Sequence, residues 1–151
     1  MELTSPAFFH DSVITARYTC DGDNVNPPLV IGGVPEQAVS LVLIMDDPDV
    51  PKHLRADGMW DHWVVFNIAP QTREIAENSE PAGVHGLGTG GNLKYSGPCP
   101  PDREHRYFFK LYALDGKLDL AEGASKAELE QAMAGHILAE AELMGRYDRP
   151  R

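Results

Sequence analysis

The sequence predicts a mainly β protein with one long helix near its C-terminus, and three observations support that fold class. Residues Ser40–Met45 form an apolar run, which is typical of a buried strand. Two further runs, His62–Ile68 and Arg106–Leu114, are rich in β-branched and aromatic residues. After Ser125 the pattern changes, because apolar residues recur at helical spacing. We therefore expect a sandwich or a similar buried sheet with a helix at the end of the chain.

The composition predicts one folded domain over residues 1–151. Hydrophobic residues make up 42% and charged residues 24%, which is typical of globular chains and excludes disordered, collagen-like and coiled-coil classes. The formal net charge is −10, and neither half of the chain is basic. Because proteins bind nucleic acids and anionic membranes through Lys and Arg, we expect no such partner.

The sequence also favours a cytoplasmic location. The longest apolar run, Leu41–Met45, is far shorter than the roughly 20 residues that span a bilayer, so no integral membrane association is expected. Met1–Pro6 contains an acidic residue and no apolar segment follows it, unlike a secretory signal peptide. Cys20 and Cys99 define neither a disulfide framework nor a zinc module. We expect both to be reduced thiols.

In the first half of the chain, turn residues separate the predicted strands. Val13–Tyr18 is rich in β-branched residues and is followed by the turn-forming segment Cys20–Asn24. A short strand over Leu29–Ile31 ends at a pair of glycines. Ser40–Met45 is apolar on both faces, which predicts a central strand.

The second half contains two strong strands and the predicted helix. His62–Ile68 begins with a histidine, and Arg106–Leu114 carries Lys110 on what should be its wetter face. A capping-box pattern at Ser125–Glu128 predicts a helix over Lys126–Tyr147. Its apolar stripe should face the core, with His136 at the core or its boundary. The stripe consists of Leu129, Met133, Ile137, Ala141 and Met144.

Two long stretches, 47–61 and 69–104, lack sustained periodicity and are expected to be functional loops. The first opens with Asp47-Pro48-Asp49-Val50-Pro51. Its prolines restrict the backbone, so the two carboxylates should be held rigidly at the mouth of the sheet. An ordinary proline-rich turn with solvated acids is the alternative interpretation.

Two histidines mark the starts of strands beside these loops. His62 begins one strand, and a histidine at a strand end can reach the edge of a pocket. His105 begins another, after the segment Tyr95–Pro101. Gly97 in that segment permits close approach of a ligand to the backbone, and the surrounding prolines limit the loop's conformations.

These motifs together resemble the phosphatidylethanolamine-binding protein family. The resemblance is strongest to its bacterial and archaeal branch, often called Raf kinase inhibitor-like, and extends from about Ser5 to Tyr147. It rests on the motifs and their order, which are Tyr18–Gly22 with Asn26–Leu29, then Asp47–Pro51, then Asp61–Asn67, then Tyr95–Pro101 and His105–Tyr107.

The resemblance implies a fold and a site. The fold would be a Greek-key-type sandwich of two antiparallel sheets with peripheral helices and a C-terminal helix. A small anion-binding cavity would lie at the sheet end, with no cofactor and no structural metal. Tyr147 is a candidate for an aromatic gate. Carried over motif by motif, the cavity would be lined by Asp47, Asp49, Pro51, His62, Gly97, Cys99, His105 and Tyr107.

The implied cavity raises a problem of charge. Two histidines, a tyrosine and backbone N–H groups would bind a phosphate, but two aspartates would repel a dianion. Either a carboxylate is protonated or the ligand arrives as a monoanion or a diester. Nearby carboxylates should favour protonated His62 and His105, so we expect tighter phosphate binding near pH 5.5 than near pH 8.

Three other interpretations stay open. Asp47, Asp49, His62 and His105 could form a zinc or manganese site. A hydrolase could use a Cys99–His105 thiol nucleophile or an acid–base pair of Asp47 and His62, although no feature predicts an activated thiol. The resemblance also implies a regulatory role through a kinase or protease partner, and exposed strand edges could form a homodimer. The surface of Met59, Trp60 and Trp63 could be an interaction patch, but core packing is the favoured interpretation.

Overall fold

The computed structural model describes residues 1–151, and it is mainly β, as predicted. Its helices are α1 (Lys126–Met133) and a single 3₁₀ turn (Ala16–Tyr18). The nine strands are β1 (Glu2–Thr4), β2 (Ser12–Val13), β3 (Leu29–Gly32), β4 (Ser40–Asp47), β5 (Trp60–Ile68), β6 (Glu74–Ile75), β7 (Val84–His85), β8 (His105–Leu114) and β9 (Ile137–Tyr147).

The strands form two sheets. The large sheet has the order β2-β9-β8-β4-β5-β7, and the small sheet has the order β1-β3-β6. All pairs are antiparallel except β2 with β9. Within the large sheet, β8-β4-β5-β7 has the spatial order 4-1-2-3 of a Greek key, with β6 lying in the small sheet between β5 and β7 along the chain.

The central strand β4 is buried on both faces, as its continuous apolar run predicts. Leu41, Leu43 and Met45 alternate into the core between the two sheets. Val42 and Ile44 lie on the opposite face, in a second core with apolar residues of α1. The large sheet is therefore packed on its inner side by the small sheet and on part of its outer side by α1.

A buried carboxylate ties α1 to the outer face of the large sheet. Asp46, near the end of β4, is 1% exposed, and its Oδ2 accepts hydrogen bonds from Lys110 Nζ and Lys126 Nζ, each at 3.0 Å. Lys126 is the first residue of α1, and its Nζ also lies 3.1 Å from Asp61 Oδ1. Because a charge is tolerated in the interior only when it is paired, this network fixes the start of α1 on the sheet.

The strands predicted at Leu29–Ile31, Ser40–Met45, His62–Ile68 and Arg106–Leu114 are confirmed as β3, β4, β5 and β8. The strand predicted at Val13–Tyr18 is wrong beyond its first residue, because the chain turns there into the 3₁₀ segment. The expectation of several peripheral helices is also wrong, since α1 is the one α-helix. No helix is long and apolar enough to cross a membrane.

The helix predicted for Lys126–Tyr147 is confirmed only in its first part. The capping box forms as expected, with the Ser125 hydroxyl accepting from the Glu128 N–H and the Glu128 carboxylate accepting from the Ser125 N–H. Leu129 and Met133 of the predicted stripe are buried. The helix then ends, because Gly135 adopts a left-handed conformation with φ +82°.

The remaining residues of the predicted helix form the strand β9. It pairs with β8 from His105↔Tyr147 to Leu114↔Ile137. The buried positions Leu143, Gly145 and Tyr147 follow the two-residue period of a strand. Long pairing with a core strand has outweighed the helix propensity of this segment. Four residues that were predicted to lie in the core or at its boundary are instead half-buried or exposed, namely His136, Ile137, Ala141 and Met144.

Gly145→Ala distinguishes the strand from the predicted helix by the sign of its effect. In a helix, Gly to Ala would stabilise the protein by about 0.5–1 kcal/mol. In β9, a Cβ at this position would lie 2.4 Å from Ile14 Cγ1 and 2.8 Å from Phe8 Cε2. We therefore expect a loss of about 1–3 kcal/mol in the free energy of unfolding. Urea denaturation measures it, and a gain in stability would contradict the strand assignment.

The expectation of two reduced thiols is wrong, because Cys20 and Cys99 form a disulfide with their Cα atoms 5.5 Å apart. The two loops that carry them pack together, and the Tyr95 hydroxyl donates to the Tyr18 carbonyl at 2.7 Å. Sequence spacing cannot reveal this pairing, since tertiary contacts create it. Both cysteines are exposed. The cytoplasmic location, which relied partly on reduced thiols, stays a prediction.

Candidate functional site

A cavity of about 300 Å³ opens at one end of the large sheet. Because β4 is antiparallel to both β5 and β8, the end of β4 meets the starts of β5 and β8 at this edge. The loop before β8 closes the remaining side. Six of the eight residues predicted for the site line this cavity, namely Asp47, His62, Gly97, Cys99, His105 and Tyr107.

A buried histidine lies between two carboxylates at the base of the cavity. His105 is 0% exposed, and its Nδ1 lies 2.6 Å from Asp47 Oδ2. Its Nε2 lies 2.7 Å from Asp102 Oδ1. Burial raises the pKa of Asp47 despite the opposing hydrogen bond from His105. The contact with His105 lowers the pKa of the more exposed Asp102. Asp102 was not predicted, because nothing in the sequence shows that a loop residue turns back onto His105.

His62 presents a neutral imidazole to the cavity. Its Nδ1 lies 2.7 Å from the Ser96 carbonyl, which can only accept, so Nδ1 carries the hydrogen and Nε2 has a free lone pair. Burial lowers the pKa of His62 to about 4. The expectation that nearby carboxylates keep His62 protonated is therefore wrong, because the loss of solvation outweighs their attraction.

Tyr107 places an unpaired hydroxyl in the cavity wall. The residue is 0% exposed, and its hydroxyl has no hydrogen-bond partner in the protein. Its ring packs edge-on against His62 and stacks with His105, which fixes its direction. Burial, with the nearby charge of Asp47, raises the pKa of Tyr107, so the hydroxyl stays protonated. Buried polar groups are almost always paired, so this hydroxyl indicates a place for a ligand atom.

In the loop before β8, Gly97 does not offer its backbone to a ligand as expected. The Gly97 N–H donates to Asn24 Oδ1 at 2.8 Å, so it is not free for a ligand. A Cβ at Gly97 would lie 2.1 Å from the Tyr18 carbonyl oxygen. Glycine is thus needed here for packing against the 18–24 segment. The backbone N–H of Cys99 makes no hydrogen bond within the protein and is the loop donor left for a ligand.

Two predicted site residues do not line the cavity. Asp49 accepts hydrogen bonds from Arg106 Nε at 3.0 Å and Nη2 at 2.8 Å, and from the Arg106 backbone N–H. This forked contact lowers the pKa of Asp49. Pro51 instead forms a turn, with its carbonyl accepting from Leu54 N–H. Both residues hold the Asp47–Pro51 segment in place and neither lines the cavity.

Part of the cavity wall is apolar and was not predicted from the sequence. Trp60 was expected to be core, but its half-buried indole lines the cavity. Leu54 lines it too and is 56% exposed, so it lies where the cavity opens to solvent. Trp63 is core as expected. The other residues that line the cavity are Val50, Ser96, Pro100 and Pro101.

The proposed aromatic gate and the proposed metal site do not form. The Tyr147 hydroxyl donates to Asp21 Oδ2 at 2.6 Å and does not line the cavity. No group of three Asp, Glu, His or Cys side chains is placed to hold a metal ion. Asp49 is bound to Arg106, and both ring nitrogens of His105 are already paired. The Cys99 thiol nucleophile is ruled out by the disulfide.

Comparisons with known sequences identify the family of the chain. The family model described as phosphatidylethanolamine-binding protein matches residues 4–148. A UPF0098 protein of Chlamydia trachomatis is 49% identical over 149 residues, which cover 99% of each chain. A UPF0098 protein of Methanothermobacter thermautotrophicus is 50% identical over 155 residues, again covering 99% of each chain.

Comparisons of structure give the same result. The crystal structure of a phosphatidylethanolamine-binding protein homologue from Chlamydia trachomatis superposes with a TM-score of 0.96 at 48% identity, covering 99% of this chain and 97% of that one. YbcL of Escherichia coli, described as a new member of the mammalian family, gives a TM-score of 0.88 at 28% identity, covering 99% of this chain and 98% of that one. The fold, the ordered motifs and these matches together show that the chain belongs to the phosphatidylethanolamine-binding protein family, in its prokaryotic UPF0098 and YbcL-like branch.

Proposed function

We propose that this protein binds a small phosphorylated ligand in the cavity, either inorganic phosphate or a phosphorylethanolamine-type headgroup. The unpaired hydroxyl of Tyr107, buried beside the neutral acceptor nitrogen of His62, is the observation that supports this most. A site with both a donor and an acceptor suits a ligand that has both. The headgroup is further supported by the lipid for which the matched family is named.

A phosphate monoanion complements these groups. Its oxygens can accept from the Tyr107 hydroxyl and the Cys99 N–H, and its P–OH group can donate to His62 Nε2. An ethanolamine ammonium can also donate a hydrogen bond to a carboxylate oxygen of Asp47, which lines the cavity. The apolar wall of Trp60 and Leu54 then covers the carbon atoms of the ligand. A free dianion fits less well, because the His62 imidazole is neutral and offers it no positive charge.

The pH dependence of binding follows from the ligand more than from His62, whose pKa of about 4 leaves it neutral between pH 5.5 and 7.5. The second pKa of a phosphate monoester is about 6, so the monoanion dominates at pH 5.5 and is a minor species at pH 7.5. We expect O-phosphorylethanolamine to bind about tenfold more tightly at pH 5.5 than at pH 7.5. Calorimetric titration at both pH values in EDTA measures this, with inorganic phosphate as the second ligand.

Tyr107→Phe is the variant that tests the location. Losing a hydrogen bond to a charged group should weaken binding about tenfold or more. Tyr112→Phe is the matched control, because it removes a hydroxyl from the same strand outside the cavity and should leave affinity unchanged. Equal affinities in the two variants would contradict binding in this cavity. Loss of wild-type binding in EDTA would instead support a metal-dependent site.

We propose that the site binds its ligand without transforming it. The nucleophile considered from the sequence is held in a disulfide, and Asp47 pairs with His105 rather than with His62. A regulatory role as a kinase or protease inhibitor-like protein is the finer proposal, and the family resemblance supports it. Such a role would use the exposed Leu54 at the mouth as part of the contact with a partner.

A further inference from the structure

The pairing of His105 with two carboxylates determines how many protons the base of the cavity holds. Asp102 has a lowered pKa, so it is ionised at neutral pH and can only accept a hydrogen bond. The 2.7 Å contact then requires a hydrogen on His105 Nε2. The 2.6 Å contact between His105 Nδ1 and Asp47 Oδ2 requires a second hydrogen between these two atoms.

The charge of the pair does not depend on where that second proton is. If the proton lies on Nδ1, an imidazolium faces the Asp47 carboxylate. If it lies on Oδ2, a neutral imidazole faces a carboxylic acid. In both arrangements Asp47 and His105 together carry two protons and no net charge. Asp102 holds the remaining negative charge toward the solvent, where its side chain is 40% exposed.

We propose that Asp102 is a positioning residue that keeps two protons on the Asp47–His105 pair and so keeps the cavity base from repelling an anion. The effect on ligand affinity rests on the proposed function, whereas the effect on the protons does not. Without the Asp102 charge, Nε2 can give up its hydrogen, and the pair then carries one negative charge into the cavity. This resolves the apparent conflict between a buried aspartate and a phosphorylated ligand.

Other charged and titratable groups surround the pair, but none replaces Asp102. The Asp49 carboxylate is paired with the Arg106 guanidinium, and the His62 imidazole is neutral. The remaining groups that face Asp47, His105 or Asp102 are the Tyr107 hydroxyl, which stays protonated, and the Arg103 guanidinium, 3.8 Å from Asp102. Both ring nitrogens of His105 are used, so no other carboxylate in the protein binds Nε2.

The first test follows the protons directly. In ligand-free protein labelled with ¹⁵N-histidine, the His105 ring resonances are followed from pH 5 to pH 9. We expect the loss of the second proton to occur at lower pH in Asp102→Asn than in the wild type. Asp115→Asn is the matched control, because Asp115 Oδ1 also binds a histidine, His136 Nδ1 at 2.9 Å, on the exposed surface. Identical His105 transitions in wild type and Asp102→Asn would overturn the proposal.

The second test measures the consequence for binding. Glycerophosphoethanolamine is a phosphodiester whose charge is constant between pH 5.5 and 7.5, so any trend comes from the protein. At pH 7.5 we expect Asp102→Asn to bind this diester about tenfold more weakly than the wild type does. At pH 5.5 the two affinities should differ by no more than about twofold. An equal loss at both pH values would indicate a purely structural role and overturn the proposal. No binding by the wild type would contradict the proposed function alone, and the histidine resonances would still decide the role of Asp102.

Discussion

Replacing both cysteines, as Cys20→Ser with Cys99→Ser, should lower the free energy of unfolding by about 3 kcal/mol. The disulfide joins residues 79 positions apart, so it removes a large share of the unfolded chain's conformations. Both cysteines are exposed, so little packing is lost when the sulfur atoms are removed. Denaturation in urea measures the change in stability.

The reduced wild type provides the control for this prediction. A phosphine reductant should destabilise the wild-type protein by the same amount and leave the double serine variant unchanged. The cavity should remain formed in both, because Gly97 N–H to Asn24 Oδ1 and Cys20 N–H to the Pro98 carbonyl also hold the loop. Equal stability of oxidised and reduced wild type would contradict the prediction that this disulfide stabilises the fold.

Asp46→Ala should be the most destabilising of the charge changes, with a loss of about 3 kcal/mol or more in the free energy of unfolding. Asp46 is almost completely buried and binds the ammonium groups of both Lys110 and Lys126. Its removal leaves Lys126, whose side chain is 13% exposed, with Asp61 as its remaining partner. The second core under α1 should loosen with it.

An exposed ion pair serves as the control, because it shows how much stability is lost when any paired carboxylate is removed. Asp115→Ala removes the exposed contact with His136 and should change stability by no more than about 1 kcal/mol. Hydrogen exchange should show faster opening of α1 in Asp46→Ala than in Asp115→Ala. Equal losses in the two variants would contradict the role of Asp46 in fixing α1 to the sheet.

The sequence allowed much of the fold to be predicted, because β3, β4, β5 and β8 have local signals. The same holds for the start of α1, where Ser125 and Glu128 form a capping box. The end of that helix could not be predicted, because the apolar residues after Gly135 fit both the 3.6-residue period of a helix and the two-residue period of a strand. Pairing with β8 decided in favour of a strand.

Half of the cavity could also be predicted, because six of its twelve lining residues lie in short motifs at or near the ends of strands. Two predicted site residues, Asp49 and Pro51, belong to the same motif as Asp47 but do not line the cavity. The residue types alone do not show that Arg106 binds Asp49 with a forked contact, nor that Asp102 folds back onto His105. Proton positions depend on such contacts, which is why the charge of His62 was predicted wrongly.

The sequence by itself determined the class of fold, the family and the chemical groups at the sheet end, since strand periodicity and ordered motifs are local properties of the chain. The tertiary structure alone decided that Cys20 pairs with Cys99 and that the last segment is β9. It also decided that His62 is neutral while His105 lies between two carboxylates. These features depend on burial and on distances between residues far apart in the chain, and desolvation and hydrogen bonding set the charge of a group only after folding brings its neighbours together.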